Sequence, residues 1–276
     1  MFAKLGIAPD FDYPRAKGAA PILFVHRRLD DGDLYFVDNR GDRGVAIDAC
    51  FRVTGKAPEL WHAETGSSEP ASYRVAGGRT TVPLRLEPWG SMFVVFREAA
   101  AQASRTLPEP VDTHLATVEG PWNVSFQPGR GAPASITLGS LSSWSDSPDE
   151  GVRYFSGTGT YAKTIDAPSA WFGPGRQLWV DLGDVKNLAD VTVNGRSLGI
   201  AWHAPYRIDV TSALKPGPNE VRIMVTNSWV NRLIGDQQPD AKVKYTFADV
   251  QPYRAKSPLL PSGLLGPVRI VSCGEQ

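Results

Sequence analysis

Three clusters in this chain bring together side chains that could do chemistry. Trp202-His203-Ala204-Pro205-Tyr206-Arg207 sets an indole, an imidazole, a phenol and a guanidinium within six residues. A flat apolar ring beside planar hydrogen-bonding groups suits the C–H face and hydroxyls of a sugar ring. The other reading is that Trp202 and Tyr206 are core residues at a sheet corner. Trp229-Val230-Asn231-Arg232-Leu233-Ile234-Gly235-Asp236 spaces Arg232 and Asp236 for an ion pair on one helical turn. Asn231, Arg232 and Asp236 are thus either a structural clamp or ligand contacts. In His26-Arg27-Arg28, strand alternation puts His26 and Arg28 on one face. They either pair with turn aspartates or face a partner.

The remaining carboxylates gather in turns: Asp30, Asp31 and Asp33, then Asp38 and Asp42, then Asp146, Asp149 and Glu150. Turn aspartates are usually solvated and bonded to their own backbone. The Asp-Asp-Gly-Asp tip offers oxygen atoms to calcium, but it lacks the longer ligand series of a calcium loop. Two isolated cysteines and four scattered histidines form no metal-ligand cluster, so no metal and no cofactor are expected from them. Cys50 and Cys273 are read as free thiols, with a bridge between them as the alternative. Lysine plus arginine equal aspartate plus glutamate, 29 each, which gives no electrostatic case for nucleic acid or an acidic membrane. No apolar run approaches the ~20 residues that cross a bilayer. Met1–Pro9 lacks the apolar stretch and small-residue cleavage site of a signal peptide, so no export address is expected in the chain as written.

Strands must position these groups. Ile22–Leu29, Leu34–Val37, Ala46–Val53, Thr80–Leu86 and Ser91–Arg97 are separated by Asp-Gly and Asn-x-Gly turn chemistry. They predict a small sandwich over residues 21–98, after an N-terminal extension, 1–20. Residues 99–118 turn alanine- and proline-rich, as linkers do, with room for a short helix at Glu98–Ser104. A second sandwich is expected over 119–276. Its strands are placed at Trp122–Phe126, Gly159–Ile165, Gln177–Leu182, Asp190–Val193, Tyr206–Val210 and Asn219–Thr226, closing at Val271. Trp144 should anchor a serine-rich surface loop, and Asn194-Gly195 should be a two-residue hairpin turn. The apolar loop Tyr253–Pro267 should pack across the sandwich or against a partner. The fold class is all-β, two β-sandwich domains, the second a jelly roll.

Several stretches stand in an order that resembles the C-terminal region of family-106 glycoside hydrolases, the α-L-rhamnosidases. In the first sandwich they are Leu5–Phe11, the His-Arg-Arg strand, Asp33–Val37, Phe51–Trp61, Arg79–Leu84 and Leu86–Ser91. In the second they are Tyr154–Tyr161, Asp190–Gly195, Trp202–Thr211 and Thr226–Asp236. The second domain is similar to the galactose-binding-like, family-2 sugar-binding jelly roll. The likeness is weakest over 99–150. Glycosidic hydrolysis uses two carboxyls flanking the bond, and the resembled enzymes carry theirs on a barrel of ~250 residues. No such pattern is present here, and no catalytic residue transfers onto this sequence. The resemblance therefore implies an accessory carbohydrate-enzyme module, whose partners are carbohydrate and a catalytic glycosidase domain or second chain. It implies a His26 and Arg28 patch set against such a domain, and a structural calcium stays open because such jelly rolls often hold one. The resembled family is often periplasmic or secreted. An autonomous carbohydrate-binding protein and a small hydrolase with its site between the sandwiches are the alternatives.

Overall fold

A computed structural model describes residues 8–14 and 21–274. Leu5, Gly6 and Ile7 of the first family-like stretch, and most of the N-terminal extension, lie outside the described residues. The contacts divide the chain into two units, 1–109 and 110–276.

The first unit has two antiparallel sheets. One runs β1 (Phe11–Asp12), β4 (Val45–Phe51), β8 (Arg79–Leu86), β7 (Tyr73–Ala76) and β10 (Ser104–Arg105). The other runs β2 (Ile22–Arg28), β3 (Asp33–Asn39), β9 (Ser91–Ala99), β5 (Lys56–His62) and β6 (Ser67–Pro70). Alternation makes the core. In β8, Thr80, Val82, Leu84 and Leu86 point inward while Pro83 and Arg85 are exposed. The rings of Tyr35, Phe51 and Phe96, from three strands, meet at 4.8–6.1 Å.

The second unit has a six-stranded sheet: β13 (Ser135–Leu138), β12 (Trp122–Phe126), β14 (Thr158–Ala167), β20 (Gly217–Thr226), β17 (Leu188–Val193) and β18 (Arg196–Ala201). A four-stranded sheet runs β11 (Val111–Thr117), β22 (Arg269–Gly274), β15 (Gln177–Asp181) and β19 (Arg207–Asp209). β16 (Asp184–Lys186) pairs with β21 (Gly263–Gly266), and α1 (Glu150–Arg153) and α2 (Val230–Gly235) are single short helices. The two larger sheets share one core, from Trp122 and Val124 to Val268 and Ile270.

This is the all-β, two-sandwich architecture expected. The hairpin at Asn194-Gly195 is also as expected. Val193 pairs with Arg196, and both turn residues have positive φ, 51° and 80°. Asn194 does more than turn: its amide donates to Asn219 Oδ1 and to the Ala213 carbonyl.

Two expectations give way. No helix forms at Glu98–Ser104; β9 continues to Ala99, and Ser104–Arg105 pairs with β7. Partners across the sheet overrode the helix propensity of the alanines. Within the stretch read as a linker, 99–118, Val111–Thr117 is a strand paired with β22. The strands β5, β6 and β7 were not foreseen, because their charged and proline-containing sequences show no clean alternation.

Trp144 organises the second unit. It is buried, its ring stacks parallel to Tyr161 with centroids 6.1 Å apart, and its backbone N–H donates to the Ser262 carbonyl. Glycines make room for it. A Cβ on Gly159 would sit 2.5 Å from the indole, and one on Gly263 would meet both Tyr161 Oη and Trp144 within 2.9 Å. Gly263 also has φ +93°. Tyr161 Oη accepts the Leu264 N–H, so the closing loop is tied to the same pair. Leu264 is buried, so the loop packs across its own sandwich. Gly263→Ala should therefore destabilise the second unit by about 1–3 kcal/mol, read by urea unfolding followed with near-UV circular dichroism.

Candidate functional site

His26 lies between two carboxylates. Nδ1 is 2.6 Å from Asp10 Oδ2 and Nε2 is 3.0 Å from Asp33 Oδ1. The ring stacks on Tyr35 at 4.0 Å. A carboxylate can only accept, so both contacts are hydrogen bonds when the ring carries both protons. Arg52 Nη2 approaches Asp10 Oδ1 at 2.9 Å. Burial raises the Asp10 pKa, but the hydrogen bonds and charges of Arg52 and His26 outweigh it and hold the group below its ordinary 3.8. Burial, and then the charges of Asp10 and Asp33, push the Tyr35 phenol well up. Asp10 directly precedes β1 in one sheet, and His26 is in β2 of the other. The pair fastens the two sheets at their edge strands. Arg28 is exposed, opposite Asp33 across the hairpin.

The acidic tip does not converge. Asp33 turns to His26, and Asp31 pairs with Arg97 at 3.0 Å. Among the described residues no group of three His, Cys, Asp or Glu side chains could hold a metal ion. Cys50 and Cys273 are free thiols.

The 202–207 cluster splits. Trp202 is 59% exposed and meets His203 edge-on at 4.6 Å. Tyr206 is half-buried against the core, its phenol raised by burial. Arg207 is committed internally: Nη1 donates to Asp112 Oδ2 at 2.7 Å, and the guanidinium lies over the Trp179 ring at 5.5 Å. Asp112 and Trp179, distant in sequence, gave no signal of this partnership.

The α2 residues form a clamp. Arg232 Nε is 2.9 Å from Asp236 Oδ1, an ion pair rather than an aligned hydrogen bond, and both side chains are buried. The guanidinium sits between the rings of Tyr154, at 5.8 Å, and Tyr245, at 4.9 Å. Asp236 Oδ2 accepts the N–H groups of Tyr245 and Thr246 and the Thr246 hydroxyl. Asn231 donates to the Leu260 carbonyl and accepts the Leu260 N–H, both at 2.8 Å. Asn231, Arg232 and Asp236 thus hold residues 245–260 to the sandwich, with their polar atoms turned inward. The structure brings these three together and buries them, whereas Trp202 is exposed.

Two outcomes follow. Asp236→Asn leaves the Arg232 charge buried and uncompensated and should cost about 3–5 kcal/mol, with faster hydrogen exchange at the Tyr245 and Thr246 amides. Asp10 is held below its usual pKa when folded, so its stabilisation is present above 3.8 and lost as pH falls through the lowered value. Asp10→Asn should destabilise the first unit at pH 7, and the gap should close as pH falls through the lowered value, as urea unfolding over an acid pH series would show.

Comparison with known proteins bears on both units. Residues 1–75 match the family model described as alpha-L-rhamnosidase, and residues 149–257 match the glycosyl hydrolase 2 galactose-binding domain-like model. A solved rhamnosidase from Novosphingobium sp. PP1Y is 50% identical with a TM-score of 0.92, over 98% of this chain and 26% of its own. A provisionally named beta-glucuronidase of Formosa agariphila is 34% identical over 193 residues, 62% of this chain and 16% of its own length. The chain thus spans about a quarter and a sixth of these relatives. The resemblance read from the sequence is met at both ends, by the alpha-L-rhamnosidase model in front and the glycosyl hydrolase 2 galactose-binding domain-like model behind it, and nearly the whole chain shares its fold with part of a solved rhamnosidase.

Proposed function

We propose that this chain is an accessory, non-catalytic module of a rhamnosidase-type glycoside hydrolase, which buttresses a catalytic part of that enzyme and through it a glycan site. The observation that carries this reading is the outer face of the β2-β3-β9-β5 sheet. Val25, Phe36, Phe93 and Trp61 are direct cross-strand partners in one row over four strands. Tyr35, next to Phe36, points into the core, so this row faces the other way. Phe36 and Phe93 pack at 5.2 Å, and Leu23 and Val25 on the edge strand are more than half exposed. Large apolar patches on a folded surface mark interaction sites. The whole rhamnosidase has some three-quarters of its length outside the matched region to cover such a face.

The reading of a small hydrolase needs two carboxyls, or a carboxyl and His26, poised to move a proton. Asp10, His26 and Asp33 do converge, but they are taken up by one another and by Arg52. Exposed Trp202 favours the second reading, an autonomous carbohydrate binder, which requires glycan binding by the chain alone.

Grafting this chain in place of the matched quarter of the Novosphingobium rhamnosidase tests the proposal. The graft should keep α-L-rhamnosidase activity. Val25→Lys should lower the melting temperature of the graft but change the isolated chain by no more than about 0.5 kcal/mol, as for an exposed site. Equal effects of Val25→Lys in graft and isolated chain would contradict it.

A further inference from the structure

The six-stranded sheet of the second unit has an outer face of its own, and it is built around a carboxylate. Asp190 on β17 is directly opposite Ile200 on β18 and Met224 on β20. Leu188 is two residues before it on the same face. Trp202, just beyond the end of β18, extends the alternation of Ile200. Trp202 and Ile200 are 59% and 57% exposed, and Leu188 and Met224 are also exposed. Yet Asp190 Oδ1 is buried among its neighbours and has no hydrogen-bond partner. Arg222, opposite Thr192 on the next outward rung, is paired with Glu220 at 2.7 Å.

A buried, unpaired acceptor is costly, and a carboxylate more so, unless a donor or cation arrives. Four exposed apolar side chains around it would be dry in a contact, where a charge-assisted hydrogen bond is strongest. Three of the four are aliphatic or thioether side chains, which favours a packed protein contact over a sugar subsite, where rings and hydroxyl partners dominate. A second copy placed across a two-fold axis here would set Asp190 against Asp190, a like-charge clash.

We infer that the Leu188–Asp190–Ile200–Trp202–Met224 face docks on a protein surface that presents a lysine or arginine to Asp190 within an apolar ring. The occupant is the catalytic part of the same longer glycosidase. This rests on the accessory-module reading but concerns a different face from the Val25–Trp61 row.

Hydroxyl-radical footprinting of the isolated chain and of the graft into the Novosphingobium rhamnosidase tests it. Trp202 and Met224 should oxidise readily in the isolated chain and lose most of that reactivity in the graft. Asp190→Lys should lower the melting temperature of the graft and leave the isolated chain unweakened. If the graft does not fold, the native rhamnosidase is footprinted at the aligned positions instead. Open reactivity at this face, with Trp61 and Phe93 protected, would overturn the inference while leaving the accessory reading standing. Both faces open would overturn both. A concentration-dependent dimer of the isolated chain that Ile200→Lys abolishes, or glycan binding that Trp202→Ala abolishes, would assign the face to another occupant and overturn the inference.

Discussion

A two-layer sandwich buries only the inward half of each strand, because successive side chains point to opposite faces. Each outward half is left to water or to another surface. Everything notable about this chain follows from how its two sandwiches treat those outward faces. The inward faces are closed: aromatic rings meet in the first core, and in the second an indole is seated against two glycines. The outward faces are uneven. The β20 strand alternates exposed Pro218, Glu220 and Arg222 with buried Asn219, Val221 and Ile223, as a wetted face does, and then places Met224 beside Asp190, which is itself opposite Ile200. A sheet designed only for water would not carry that rung, nor the Val25–Trp61 row.

The charged groups with the most built surroundings serve the fold. Asp10, His26 and Asp33 fasten the edge strands of the first unit, and Arg232 with Asp236 holds the loop after α2. Such arrangements resemble catalytic sites in composition, since both need charges held in place. They differ in that these groups are paired with one another and with neighbouring protein atoms. That distinction moves the functional weight from the polar clusters to the apolar faces.

The sandwich class, most strands of high β propensity and the Asn-Gly hairpin were legible in the sequence, because alternation and turn chemistry are local. So was the Arg232–Asp236 pair, whose four-residue spacing needed only a helical turn. The partners of His26 and Arg207 were half legible. Asp33 was visible as a turn aspartate, but Asp10, Arg52, Asp112 and Trp179 reach their partners through strand pairing, which residue spacing does not encode. The exposed rows were invisible for the same reason. Val25, Phe36, Phe93 and Trp61 form a row only once four strands are in register.

The central claim is that this chain supports glycoside chemistry without performing it. Hydrolysis of a panel of p-nitrophenyl glycosides by the purified isolated chain, α-L-rhamnoside included, with a mock purification alongside, tests it most directly. The account predicts release no greater than the mock. Release that persists through repurification and falls on His26→Gln or Asp33→Asn, in variants that remain folded, would contradict it.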